Sequence, residues 1–116
     1  MDKKRQLKIG IEEGLDISVY NDPDFSATAM AAIRRGLEKG LDVSIYAKHI
    51  YRGYQMVQIK NGLLSGVDIS VYADPHYSYD QMKEIRIGLE KHIDVTPYAR
   101  YKFNGNRMRM IRNEIL

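Results

Sequence analysis

At 116 residues the chain has room for one domain with a core, and its 44% apolar content contains no run near the ~18 residues that a bilayer crossing needs, which argues against a membrane span. Cysteine is absent, so a disulfide framework and a thiolate metal site are excluded. The net charge of +3, from 18 basic and 15 acidic side chains, is too small to imply nucleic acid by itself, and no signal-peptide apolar region follows Lys3, Lys4 and Arg5, so the expected compartment is the cytoplasm.

The first predicted element is a helix over 2–13. It should stop at Gly14, a left-handed glycine followed by apolar Leu15 that folds back on the last turn. Asp16 then reads as the N-cap of a one- or two-turn segment reaching Tyr20, which Pro23 limits. The same order returns three times. A helix over 27–39 meets Gly40–Leu41 and then Asp42 to Tyr46; a helix over 53–65 meets Gly66–Val67 and then Asp68 to Tyr72, with Pro75 beyond; a helix over 79–91 leads to Asp94 to Tyr98. A fifth helix covers 105–115. In the fourth, His92 stands where the others have glycine, so it must either accept a left-handed backbone or end the helix differently. Ser78 and Gln81 have the spacing of a capping box, and Phe25 with Met30, Tyr51 with Met56, Tyr77 with Met82 and Phe103 with Met108 have the spacing of hydrophobic staples.

The elements recur at a step of 26 residues, carried by Gly10, Gly36, Gly62 and Gly88, by Tyr20, Tyr46, Tyr72 and Tyr98, and by Met30, Met56, Met82 and Met108. Such a period marks a unit that buries its apolar face only against copies of itself. The expected fold is all-α, a short α-solenoid of long-helix/short-helix repeats: a half-repeat over 1–9, then repeats 10–35, 36–61, 62–87 and 88–116. Gly10 and its equivalents lie inside helices, where glycine costs about 1 kcal/mol relative to alanine, so close approach of a neighbouring backbone is expected there.

The run Gln81-Met82-Lys83-Glu84-Ile85-Arg86-Ile87-Gly88-Leu89-Glu90, with Asp94-Val95-Thr96 and Tyr98-Ala99, resembles a short α-helical repeat of uncharacterised proteins from gut-associated Firmicutes, their phages and their mobile elements. The resemblance covers nearly the whole chain. It implies a leucine-rich-variant-like solenoid in shape and brings no activity, ligand or catalytic residue with it.

Chemistry-bearing residues are few. Asp16, Asp42, Asp68 and Asp94 are explained by N-capping and would lie a layer apart, too far to share one metal. Asp22-Pro23-Asp24 lacks the glycine and glutamate of a calcium loop. His49, His76 and His92 fall at different phases and read as surface residues. No nucleophile constellation or phosphate-binding loop appears, so no enzyme activity, catalytic residue, metal or cofactor is expected. The tyrosine series could stack bases, but a tyrosine in every layer reads better as a core spacer whose hydroxyl finds an acceptor.

Lys8, Arg34, Lys60, Arg86 and Arg112 share one phase and would form a linear stripe of cations suited to an acidic partner. Glu12, Glu38 and Glu90 follow three of them by four residues and could neutralise them, leaving Lys60 and Arg112. The loops after the short segments differ from copy to copy and turn from acidic to basic, which makes that edge the expected interaction surface. The reading is a non-enzymatic helical-repeat binding module, an accessory or regulatory protein whose partner is a protein, using Lys60, Arg86, Arg112, Tyr54, His76, Tyr79, Arg100, Tyr101 and Lys102. One alternative is nucleic-acid binding by the basic C-terminal end with Tyr79 and Tyr101; another is a phage or mobile-element inhibitor of a host defence nuclease. Met110 and Leu116 place apolar groups at phases that are mostly polar elsewhere, so the last helix is expected to contact a second copy or a continuation of the array.

Overall fold

The computed structural model describes residues 2–115. It is all-helical, with α1 (Lys3–Glu12), α2 (Ala27–Glu38), α3 (Gly53–Ser65), α4 (Tyr79–Glu90) and α5 (Gly105–Ile115), and no strand occurs among the described residues. The helix starts follow from their caps. Asp2 accepts from the Arg5 N–H at 2.8 Å, Ser26 from Ala29 at 3.1 Å and Asn104 from Arg107 at 2.8 Å, while Ser78 and Gln81 close the reciprocal box expected of them.

The helix ends are equally regular. Gly14, Gly40 and Gly66 have φ of 71°, 72° and 77°, and the N–H groups of Leu15, Leu41 and Val67 donate to the carbonyls of Gly10, Gly36 and Gly62. His92 takes the left-handed backbone too, at φ 59°, and Ile93 donates to the Gly88 carbonyl at 2.9 Å. The side-chain penalty is accepted to keep the same two terminal bonds.

Single 3₁₀ turns follow at Ile17–Val19, Val43–Ile45 and Ile69–Val71. Asp16, Asp42 and Asp68 each accept from the backbone and hydroxyl of the serine two residues on. Asp94 caps Thr96 in the same way, yet no fourth 3₁₀ helix forms. Val19, Ile45 and Val71 donate to the carbonyls of Asp16, Asp42 and Asp68, and Pro97, at the matching position, has no N–H to give.

The chain divides into two compact units, one up to Lys60 and one from Asn61, with the boundary inside α3. In the first unit Tyr20, Met30, Ile33, Tyr46, Met56 and Ile59 are fully buried; in the second, Tyr72, Met82, Ile85, Tyr98 and Met108 are. Burial of each such side chain is worth about 1.5–3 kcal/mol, so these residues set the stability of each unit. In the first unit the Tyr20 hydroxyl donates to the Gln6 carbonyl at 2.7 Å and Tyr46 to Ala32 at 2.8 Å. A Cβ on Gly10 or Gly36 would overlap those hydroxyls, and Gly62 and Gly88 stand in the same relation to Tyr72 and Tyr98 in the second unit. The expected neighbour of these glycines was a backbone; it is a tyrosine side chain from the short segment that follows the helix.

Candidate functional site

Two sets of residues carry the functional expectation: the cation column on the long helices and the loops ahead of them. The column does not form an exposed stripe. Arg34, Lys60 and Arg112 are buried, at 7%, 9% and 5% exposure. In the first unit Arg34 donates from Nε to Gln6 Oε1 at 2.8 Å and pairs through Nη1 with Glu38. In the second, Arg86 holds both oxygens of Glu90 at 2.8 Å, and Arg112 Nη1 reaches Glu84 Oε1 at 2.7 Å and the Glu84 carbonyl at 3.1 Å. Arg34 and Arg112 lie along the preceding helix, where a buried charge persists because it is paired.

Lys60 departs from this rule. Ala32 occupies the position equivalent to Gln6 and Glu84, and Leu64 replaces the glutamate four residues on, so Lys60 makes no hydrogen bond or ion pair among the described residues. Burial pushes its ammonium below the ordinary pKa, with Arg35 adding to the effect and Glu38 opposing it. Lys60 and Arg112 are therefore not the surface cations that the sequence suggested, and Arg86 is half-buried against its glutamate.

Arg112 also disturbs its own tyrosine. By taking the Glu84 carbonyl it occupies the acceptor that Gln6 and Ala32 offer to Tyr20 and Tyr46. The Tyr98 hydroxyl and Arg112 Nε are left buried without a hydrogen bond of good geometry, although the guanidinium lies beside the phenol. Burial raises the Tyr98 pKa, and the Arg112 charge works against that rise.

The loops are clasped to one another within each unit. In the second unit Asp74 accepts from the His76 N–H at 2.9 Å, stands 2.8 Å from His76 Nδ1, and accepts the Tyr101 hydroxyl. The Tyr101 ring packs 4.6 Å from that of Tyr77 and 5.7 Å from His76. Gln81 Nε2 donates to the carbonyls of Tyr101 and Phe103 at 3.0 and 2.7 Å, tying the start of α4 to the loop before α5. The Tyr101 hydroxyl bond holds the Asp74 carboxyl below its ordinary pKa and raises that of the tyrosine. The first unit repeats the clasp with other chemistry: His49 Nε2 lies 2.9 Å from Asp22 Oδ2 and its ring stacks on Phe25 at 4.5 Å.

The sequence weighs Asp22 only as the start of a calcium loop and gives neither Asp22 nor Asp74 a partner, although each precedes its partner, His49 or Tyr101, by the same number of residues. Tyr79, Arg100, Tyr101, Lys102 and His76 of the second unit are all exposed, and His76 and Tyr101 are in contact. Arg100 and Lys102 make no ion pair with a described carboxylate; Lys102 Nζ sits 5.1 Å from the Phe103 ring centroid. Tyr54, on α3, is 60% exposed. Met110 is 53% exposed on α5, and Leu116 lies outside the described residues.

A groove of about 360 Å³ beside this edge is lined by charged and polar groups, among them Asp80, Lys83, Asn104 and Arg109, in contrast to the apolar pockets that hold small ligands. No group of three or more His, Cys, Asp or Glu among the described residues is placed to hold a metal ion, and none of their helices is long and apolar enough to cross a membrane. Comparison of the chain with protein families, curated proteins and solved structures gave no match.

Proposed function

We propose that the chain is a short α-solenoid of 26-residue units acting as a non-enzymatic binding module, and that its partner is a protein presenting an acidic segment to the loop edge of the second unit. One observation carries this reading: Tyr101 is fixed in place by Asp74 and Tyr77 while Arg100 and Lys102 on either side stay exposed and without a carboxylate. A held aromatic between free cations loses little side-chain freedom on binding and offers both apolar area and charge. This edge is the better candidate for recognition, because Arg34 and Arg112 are buried in pairs within the fold and Lys60 is only 9% exposed. An accessory or regulatory role, including inhibition of a defence nuclease, is one form of such binding, and the resemblance to repeats of phages and mobile elements is its only support.

The same cations with Tyr79, which is 45% exposed, also suit a single-stranded nucleic acid. Capture from source-cell lysate separates the two readings. The parent should retain the same protein from untreated and nuclease-treated lysate, and Arg100→Glu with Lys102→Glu should lose it. Capture abolished by nuclease, with binding that falls steeply with salt, would favour nucleic acid; capture unaffected by the double substitution would reject the edge.

A further inference from the structure

The outer face of α5 differs from that of every other long helix in a way that selects its partner. Around Gln6 the face of α1 is covered by α2 through Arg34, and around Glu84 the face of α4 is covered by α5 through Arg112. The corresponding residue of α5 is Met110, 53% exposed, whereas Gln6, Ala32, Gln58 and Glu84 are all buried. One turn further on, the place held by Gly10, Gly36, Gly62 and Gly88 is taken by Glu114. Those four glycines exist because any Cβ there would overlap a tyrosine hydroxyl. A side chain at 114 therefore closes α5 to a tyrosine-bearing segment of the kind that seats on the other four helices.

We infer that this face is a homotypic interface on which α5 of a second copy lies antiparallel, about a two-fold axis through Met110. Arg107 precedes Met110 by three residues and Glu114 follows it by four, so they flank it on one side of the helix; Asn106 and Asn113 flank it on the other. Antiparallel pairing reverses the order along the axis and keeps the side. Met110 then meets Met110 of the partner subunit, Arg107 meets Glu114 of the partner subunit at both ends, and the asparagines meet each other. The face is thus complementary to itself in charge. A head-to-tail arrangement, with α1 of another copy on α5, would bring Lys3, Lys4, Arg5 and Lys8 toward Arg107 and Arg109 and would not close.

Sedimentation velocity over a concentration series, on the full chain, tests this. The parent should show a monomer–dimer equilibrium. Arg107→Glu and Glu114→Arg, both at exposed positions, should each raise the dissociation constant about tenfold or more with unchanged far-ultraviolet circular dichroism, as should Met110→Glu. The double variant carrying Arg107→Glu and Glu114→Arg restores both pairs with reversed sign and should dimerise again. A parent that stays monomeric throughout, a dimer indifferent to Met110→Glu, or a double variant no better than the single ones would each overturn the interface. Partner capture by the loop edge is scored separately, since Arg100 and Lys102 are unchanged in all these variants.

Discussion

The Tyr46 hydroxyl donates to the Ala32 carbonyl at 2.8 Å across space that only a glycine at position 36 leaves open. A Cβ there would overlap the hydroxyl and stand 2.7 Å from Val43 Cγ1. Alanine is the better helix former, so propensity alone makes Gly36→Ala stabilising by about 1 kcal/mol. Overpacking acts in the other direction, and Gly36→Ala should lose about 1–3 kcal/mol in urea unfolding. Tyr46→Phe should lower that loss when combined with it, because the atom in the way has gone. A more stable Gly36→Ala protein would mean that the glycine is there for another reason.

The four tyrosines are not equivalent in hydrogen bonding, although each is completely buried. Tyr46→Phe removes a bond to Ala32 and should cost about 1 kcal/mol. Tyr98→Phe removes a hydroxyl that has no such partner, and the change should be neutral or slightly stabilising. Equal losses in the two variants would show that Tyr98 is as well bonded as Tyr46.

His92 holds at φ 59° the conformation that glycine holds at positions 14, 40 and 66. Replacing it relieves the steric cost of a Cβ in that region, and His92→Gly should raise stability by about 1 kcal/mol, with His92→Ala not doing so. Thermal unfolding of the two variants beside the parent decides this.

Much of this was visible beforehand. The starts at Ala27, Tyr79 and Gly105 agree with expectation because each depends on a cap side chain next to it, and the start at Gly53 agrees with Gln55 accepting from the Arg52 N–H. Pro97 in the fourth short segment was equally visible, but its effect became plain only once the other copies showed which N–H it lacks. The column was legible as a column, but the burial of Arg34, Lys60 and Arg112 was not: the glutamates four residues on explain Arg34 and Arg86, whereas Gln6 and Glu84 act on Arg34 and Arg112 from the preceding helix. The clasp between Asp74 and Tyr101 joins two loops whose sequences look unrelated, and local pattern gives no sign of it. Glu114 was in plain view at a glycine phase, yet its meaning required knowing that a tyrosine hydroxyl fills the space above the glycine.

That clasp sets a pH dependence. The Tyr101 hydroxyl, and after it the His76 N–H, hold the Asp74 carboxyl below its ordinary value of 3.8. A carboxyl depressed in the folded state contributes stability above its unfolded pKa and loses it as pH falls through the folded one. The difference in urea midpoint between the parent and Asp74→Asn should be constant above about pH 5 and should shrink below it. A difference that grows toward acid would place the stabilising ionisation elsewhere.

Removal of one unit is the most direct test of the repeat architecture on which the proposed function rests. Deleting residues 36–61 joins Arg35 to Gly62 and keeps the phase of every cap, glycine and tyrosine, whereas deleting 36–48 breaks it. In a solenoid each unit contacts its neighbours alone, so the first deletion should retain helical circular dichroism and unfold cooperatively at a lower urea midpoint, while the second should not fold. If the in-phase deletion unfolds like the out-of-phase one, the chain is not a stack of interchangeable 26-residue units.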